Sequence, residues 1–271
     1  MSAIFKREFK GYFTSPIGYI VLAMLFAVSG IFFFVYNLAG GLTDLSYVYN
    51  NTYFFLAFML LVLPVLTMRL LSDDKRQRTD QALLTAPVSL TGIVLGKFLA
   101  ALLIIAIGLG MLFVYAIVLA ANGVTLNWIQ ICGNYLGLML LGGMVISIGL
   151  LISSLTESQL IAALGTAVVS LCLLLVDSLV SMVSSNEVLA TIVNFLSVNN
   201  RYNNFAIGVI QYDDIVFFVS MQALFLFLTV RPGAMGKPVV PRSVRNGSAS
   251  FLLTHRGHLQ QRWFPGSTEA T

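Results

Sequence analysis

Few side chains in this sequence are equipped for chemistry, and most of those that are fall together. Asp73, Asp74, Lys75, Arg76, Arg78 and Asp80 occupy eight consecutive residues of an otherwise nearly uncharged chain. Thr79 stands where it can cap a short helix carrying Ala82, Leu83 and Leu84, which Pro87 ends. A mixed-charge helix at a membrane surface is the form a docking element for a soluble partner would take. A solvated loop with the same charges reads identically, and composition does not separate the two.

Catalytic chemistry lacks its parts. There is no HExxH, no G-x-S-x-G and no histidine before His255, so metal hydrolysis and the usual nucleophilic triads have nothing to work with. Gly92-Ile-Val-Leu-Gly96-Lys97 approaches the phosphate-binding pattern G-x-x-x-x-G-K-[ST]. Its glycines are one residue too close, Phe98 replaces the hydroxyl residue, and the segment enters an apolar run. Gly92 and Gly96 read instead as a small-xxx-small packing surface, with Lys97 snorkelling to the interface. Gly133 and Gly137 repeat that spacing around Asn134 and Tyr135. Cys132 and Cys172 sit in apolar runs and offer neither a disulfide framework nor metal-ligand spacing. Asp177 is the one carboxylate inside an apolar run, LCLLLVDSLVSMV, where an ion-coupled carrier would need such a group.

These residues are carried by a chain of 271 residues, 58% hydrophobic and 10% charged, with a mean hydropathy of +0.90. Ordinary soluble domains carry roughly 25% charged residues, so a water-soluble globule is excluded. Apolar runs long enough to span a bilayer fall at about 17–38, 52–71, 92–121, 130–153, 159–183 and 214–231. The expected fold is an all-α polytopic membrane protein with six transmembrane helices. The second span contains Pro64, and the third has Gly108 and Gly110 at which to bend.

With an even number of spans, both termini and the second and fourth loops share one side. That side collects 14 of the 15 Lys and Arg residues and leaves only Arg201 on the other, which predicts an N-in/C-in orientation. Residues 1–231 hold 10 bases and 10 acids, so the net charge of +4 belongs to residues 232–271. That tail contains four of the seven prolines and both histidines without helical or strand periodicity, and reads as disordered or non-native. The N-terminus carries no small-residue cleavage site and is expected to be retained.

Two amphipathic stretches flank the spans. In residues 1–16, Phe5, Phe9, Tyr12 and Phe13 recur at helical spacing opposite Lys6 and Lys10, beside Arg7. This predicts an interfacial helix with its rings in lipid and its bases toward phosphates, or a plain topological anchor, which Ser15-Pro16 separates from the first span. In the outer loop 184–213, Val188, Ile192, Phe195 and Leu196 have the same spacing. Asn50, Asn51, Asn199, Asn200, Asn203 and Asn204 read as loop residues that satisfy backbone or water.

Taken together, KREFKGYFTSPIGYI, DDKRQRTDQALLTAPVSLTGIVLGKFLA, SSLTESQLIAA and FAIGVIQYDDIVFFVS resemble the ABC-2 class of ABC-transporter permeases. Within it they look like the gliding-motility-type permease subunits, and the resemblance covers about residues 1–231. It implies an ABC-2 exporter-type transmembrane domain in the cytoplasmic membrane of a prokaryote, without catalytic residues or bound cofactor of its own. ATP and Mg would belong to a separate ATPase subunit. The first stretch would be the connecting helix and 72–91 the coupling loop. Asp73, Asp74, Lys75, Arg76, Arg78, Thr79, Asp80 and Gln81 would contact the ATPase. Relatives commonly carry Gly-Thr followed soon by Glu where this chain has Arg78-Thr79 and Gln81. The last stretch would include a re-entrant hairpin between the fifth and sixth helices. Implied partners are the ATPase, a second or homologous permease, membrane lipid and an auxiliary subunit, with no role for nucleic acid. A secondary carrier using Asp177 and a non-transporting membrane scaffold are the competing readings.

Overall fold

A computed structural model describes residues 2–72, 90–183 and 197–230, with side chains over 4–72, 91–175 and 197–230. The charged residues from Asp73 to Gln81, the outer positions Val188, Ile192, Phe195 and Leu196, the tail 232–271 and the side chain of Asp177 lie outside the described residues.

All regular elements among the described residues are helical. Helix α1 (Ser2–Thr14) stops at Ser15, which is extended, and Pro16 opens α2 (Pro16–Phe33) at a position where its missing N–H is no loss. A wide π turn, Phe34–Ala39, prolongs α2. Asn37 closes its end by donating through Nδ2 to the carbonyls of Leu42 at 2.7 Å and Asp44 at 3.3 Å. The short α3 (Ser46–Tyr49) precedes α4 (Thr52–Ala57), where the Asn51 side chain accepts from the Tyr53 N–H. A second π turn, Phe58–Val62, leads into α5 (Leu63–Thr67). Pro64 lies just after that turn; proline cannot donate to the preceding turn and crowds it, which is a recognised cause of such irregularity.

The third apolar run is divided into α6 (Leu90–Leu109) and α7 (Met111–Ala121) at Gly110. Helices α8 (Trp128–Leu155), α9 (Gln159–Val183), α10 (Val198–Ile207) and α11 (Tyr212–Val230) complete the set. Among the described residues, four helical stretches are long and apolar enough to cross a membrane: Pro16–Ala39, Thr91–Ala121, Trp128–Leu155 and Tyr212–Val230. Of the six runs read from the sequence, four correspond to these stretches, the second to the shorter Thr52–Thr67, and the fifth to α9, a helix of 25 residues. Thr52–Thr67 spans only about 24 Å of axis, because the chain turns at 68–71.

Helix α8 is the axis of the bundle. It is apolar on all sides and packs against α5, α6, α9, α10 and α11, as a helix without a polar face must. Glycines set the approach of its neighbours. A Cβ on Gly149 would meet Thr67 of α5 at 2.5 Å, and one on Gly143 would meet Gln222 of α11 at 2.8 Å. Gln222 donates to the Leu140 carbonyl at 2.9 Å, so its amide is spent on the backbone that the glycine exposes.

Candidate functional site

Two clusters of polar side chains lie near opposite ends of α8. At the end where α8 finishes, the Ser153 hydroxyl accepts hydrogen bonds from the backbone N–H groups of Leu71 at 3.0 Å and Ser72 at 2.9 Å. Ser153 and Ser72 are both fully buried, and the Ser72 hydroxyl in turn donates to the Met68 carbonyl. These are the last described residues before the charged stretch Asp73–Gln81. The root of that stretch is thus tied to the central helix by the group that would cap a helix start. Thr67, one turn earlier, donates to the Pro64 carbonyl at 3.3 Å and lies 3.5 Å from the Thr166 hydroxyl of α9.

At the same end α1 crosses α6. Glu8 Oε2 sits 3.0 Å from Lys97 Nζ. Lys97 is 3% exposed, which corrects the expectation that it snorkels to the interface: the carboxylate on the crossing helix offsets the desolvation of its ammonium. Gly96 makes the crossing possible, since a Cβ there would lie 2.9 Å from Ile4 Cγ2. Gly92, one turn earlier, is buried.

The rings of α1 are likewise turned from where the sequence places them. Phe9, Tyr12 and Phe13 pack on the protein core instead of facing only lipid, because α1 lies on α2 and α6. Phe5 stacks on Phe9 with centroids 6.1 Å apart. Burial, with the charge of Glu8 adding to it, raises the Tyr12 phenol above its ordinary range and keeps it neutral. Lys6, Arg7 and Lys10 are exposed.

The second cluster surrounds α10, an element that sequence reasoning treated as loop. Ser197 caps it by accepting the Asn200 N–H at 3.2 Å, and Gly208 closes it in the left-handed region at φ 88°. Gly133 and Gly137 of α8 lie directly beneath it. A Cβ on Gly133 would come 2.5 Å from the Phe205 carbonyl oxygen, and one on Gly137 2.8 Å from Phe205 Cβ. Between these glycines, Asn134 is buried. It donates to the carbonyls of Gln130 at 3.1 Å and Ala206 at 3.3 Å. Its Oδ1 lies 3.1 Å from the Tyr202 hydroxyl, which is also 3.2 Å from the Tyr49 carbonyl.

Of the asparagines expected to satisfy backbone or water, Asn51 does cap the Tyr53 N–H and Asn199 and Asn200 are exposed, while others bind side chains of neighbouring elements. Asn50 donates to Asn203 at 2.9 Å, Asn51 to the Tyr36 hydroxyl at 2.9 Å, and Asn204 to Asp214 at 2.8 Å. Arg201 pairs with Asp214 at 2.9 Å and lies over the Phe217 ring at 4.3 Å. Gln130 donates to Asp44 at 3.3 Å beside a cavity of about 100 Å³. A signal for α10 was present: Val198, Tyr202, Phe205 and Ala206 fall at i, i+4, i+7 and i+8 and are the buried residues of the helix. The run NNRYNN concealed it.

Among the described residues no His, Cys, Asp and Glu cluster could hold a metal ion, and both cysteines are free and exposed. What the fold offers is a core of apolar helices with its polar groups spent on fixing helix ends, as in a polytopic α-helical membrane protein. The sequence model of the family described as ABC-2 family transporter protein matches residues 2–237. The chain belongs to that family and is an ABC-transporter permease of the membrane. Comparison with curated proteins finds no match.

Proposed function

We propose that this chain is the permease subunit of an ATP-driven ABC-2 exporter. It spans the cytoplasmic membrane of a prokaryote six times, with both termini inside, forms the path together with a second permease copy, and docks a separate ATPase that binds ATP and Mg. The six apolar stretches and the one-sided distribution of bases support the topology. The coupling loop is 72–91, and Asp73, Asp74, Lys75, Arg76, Arg78, Thr79, Asp80 and Gln81 face the ATPase.

The observation that carries the mechanism is the seat of that loop. Leu71 and Ser72 are held by Ser153, and Ser153 belongs to the helix that also carries Asn134 at the other end, about 28 Å away along its axis. A displacement of the loop by ATP-dependent closure of the docked subunits is delivered to α8. From there it reaches α11, which packs along α8, and α10 at the opposite end of α8. Each nucleotide state then favours one arrangement of the bundle.

Purification from the native membrane tests this reading. The chain is expected to bring down an ATPase, and Arg76→Glu with Arg78→Glu is expected to release it while the permease still accumulates in the membrane. A chain that captures no ATPase and functions normally with both charges reversed overturns the reading. Transport lost in Asp177→Asn but insensitive to ATP depletion would establish the ion-coupled carrier in its place.

A further inference from the structure

The crossing of α1 over α6 leaves a cavity of about 430 Å³ beside it. Its described walls are Phe5 of α1, Met139 of α8 and Gly96, Leu99, Leu102, Leu103 and Ala106 of α6, with no charged or polar side chain among them. Leu99 to Ala106 is one helical face, so the groove runs about 10 Å along the axis of a membrane-crossing helix. Leu99 is 47% exposed, and there the groove opens to the outside of the bundle.

At the α1 end the chemistry changes abruptly. Lys6, Arg7 and Lys10 follow Phe5 on the same helix, are exposed, and make no ion pair with any described residue. Glu8, the one acid of α1, is already paired with Lys97 and offsets none of them. An apolar slot among membrane helices is therefore lined at one end by Phe5 of a helix whose other, exposed face carries three bases without an ion-pair partner among the described residues.

We propose that this groove binds an anionic phospholipid, one acyl chain lying along α6 against Leu99, Leu102, Leu103 and Ala106, its phosphate met by Lys6, Arg7 and Lys10. A water-soluble ligand would need a polar anchor in the slot, and the described lining offers none. A helix of a second copy would gain little from apolar contact within lipid, and helix contacts in membranes are built on small residues, whereas Leu99, Leu102 and Leu103 stand between the two small α6 residues of this groove, Gly96 and Ala106, and Gly96 is already met by Ile4 of α1. The bases on the rim select the anionic headgroup. The lipid would tie α1 to α6 where Glu8–Lys97 already does so from the protein side.

The test is native mass spectrometry of the full chain released from detergent, with added phosphatidylglycerol or phosphatidylcholine of the same acyl chains. One phosphatidylglycerol is expected to be retained at least about tenfold better than phosphatidylcholine. Ala106→Trp, or Leu102→Phe should the first not fold, fills the slot and abolishes retention. Lys6→Gln, Arg7→Gln and Lys10→Gln together remove the preference between headgroups and leave weak retention of both. Equal retention of the two lipids by the unaltered chain overturns the proposal, and so does undiminished retention in the filled variants. Slot-filling that instead converts a dimer to monomer assigns the groove to a second copy. None of these outcomes bears on whether an ATPase docks at residues 73–81.

Discussion

Ser153 and Ser72 meet side chain to backbone across two elements 81 residues apart, the hydroxyl of one accepting the N–H of the other at 2.9 Å. The same oxygen accepts from Leu71, so a single buried group satisfies two donors at the root of the charged loop. Removing the oxygen leaves both N–H groups buried without that acceptor, a loss of about 1–3 kcal/mol. Ser153→Ala is therefore expected to speed amide hydrogen exchange at Leu71 and Ser72 by roughly tenfold or more, with α10 unaffected. Ser153→Thr keeps the oxygen and should keep the protection. Unchanged exchange in the alanine variant would show that the loop is seated by other contacts.

Glu8 and Lys97 form a largely buried ion pair at 3.0 Å where α1 crosses α6. Glu8→Gln removes that compensation and is expected to cost about 3 kcal/mol of stability in detergent, the low end of the range for breaking a buried pair, because Glu8 is partly exposed. Lys97→Met substitutes an apolar chain of similar length and should cost less. Combined with Glu8→Gln it should recover part of the loss. A double-mutant cycle by thermal unfolding reads the coupling directly, and simple additivity would mean that the two charges do not stabilise one another.

Hydropathy made the long helices legible because membrane spans advertise themselves over twenty residues, and the break of the third run at Gly110 falls where its glycines pointed. What hydropathy misses is what depends on distant partners. Nothing near Lys97 announces Glu8, which lies 89 residues earlier. A serine near the end of an apolar helix has no sequence signature of a cap for another element. Helix α10 carried a readable pattern, but its polar residues Asn203 and Asn204 bond Asn50 and Asp214, and so asparagine-rich a run looks like a loop when its partners are unknown. The second span was read as longer than its helix because hydropathy does not register the end imposed at residues 68–71.

Close glycine contacts give a graded prediction. At Gly133 the obstacle to a methyl group is a backbone oxygen 2.5 Å away, which cannot rotate aside, whereas a Cβ at Gly11 meets nothing within 4 Å. Gly133→Ala is expected to destabilise by about 1–3 kcal/mol through displacement of α10 from α8. Gly11→Ala should be neutral or slightly stabilising, because alanine favours the helix. Thermal unfolding in detergent compares the two, and equal midpoints would mean that α10 yields without cost.

Tyr202 provides the corresponding test of the polar junction above α8. Its hydroxyl is the described donor to Asn134 Oδ1, and both residues are buried, so Tyr202→Phe leaves an amide oxygen without that partner in a place water does not reach. The expected loss is about 1–2 kcal/mol, seen as a lower unfolding midpoint and faster exchange of the α10 amides. Tyr53→Phe is the control, because Tyr53 is 71% exposed and removal of its hydroxyl should be silent. Adding Asn134→Leu to Tyr202→Phe removes the stranded amide and should restore part of the midpoint, since the cost lies in the unmatched group and not in the missing bond. If the double variant is the less stable of the two, the Asn134 bonds to the carbonyls of Gln130 and Ala206 hold α10 in place more than the tyrosine does.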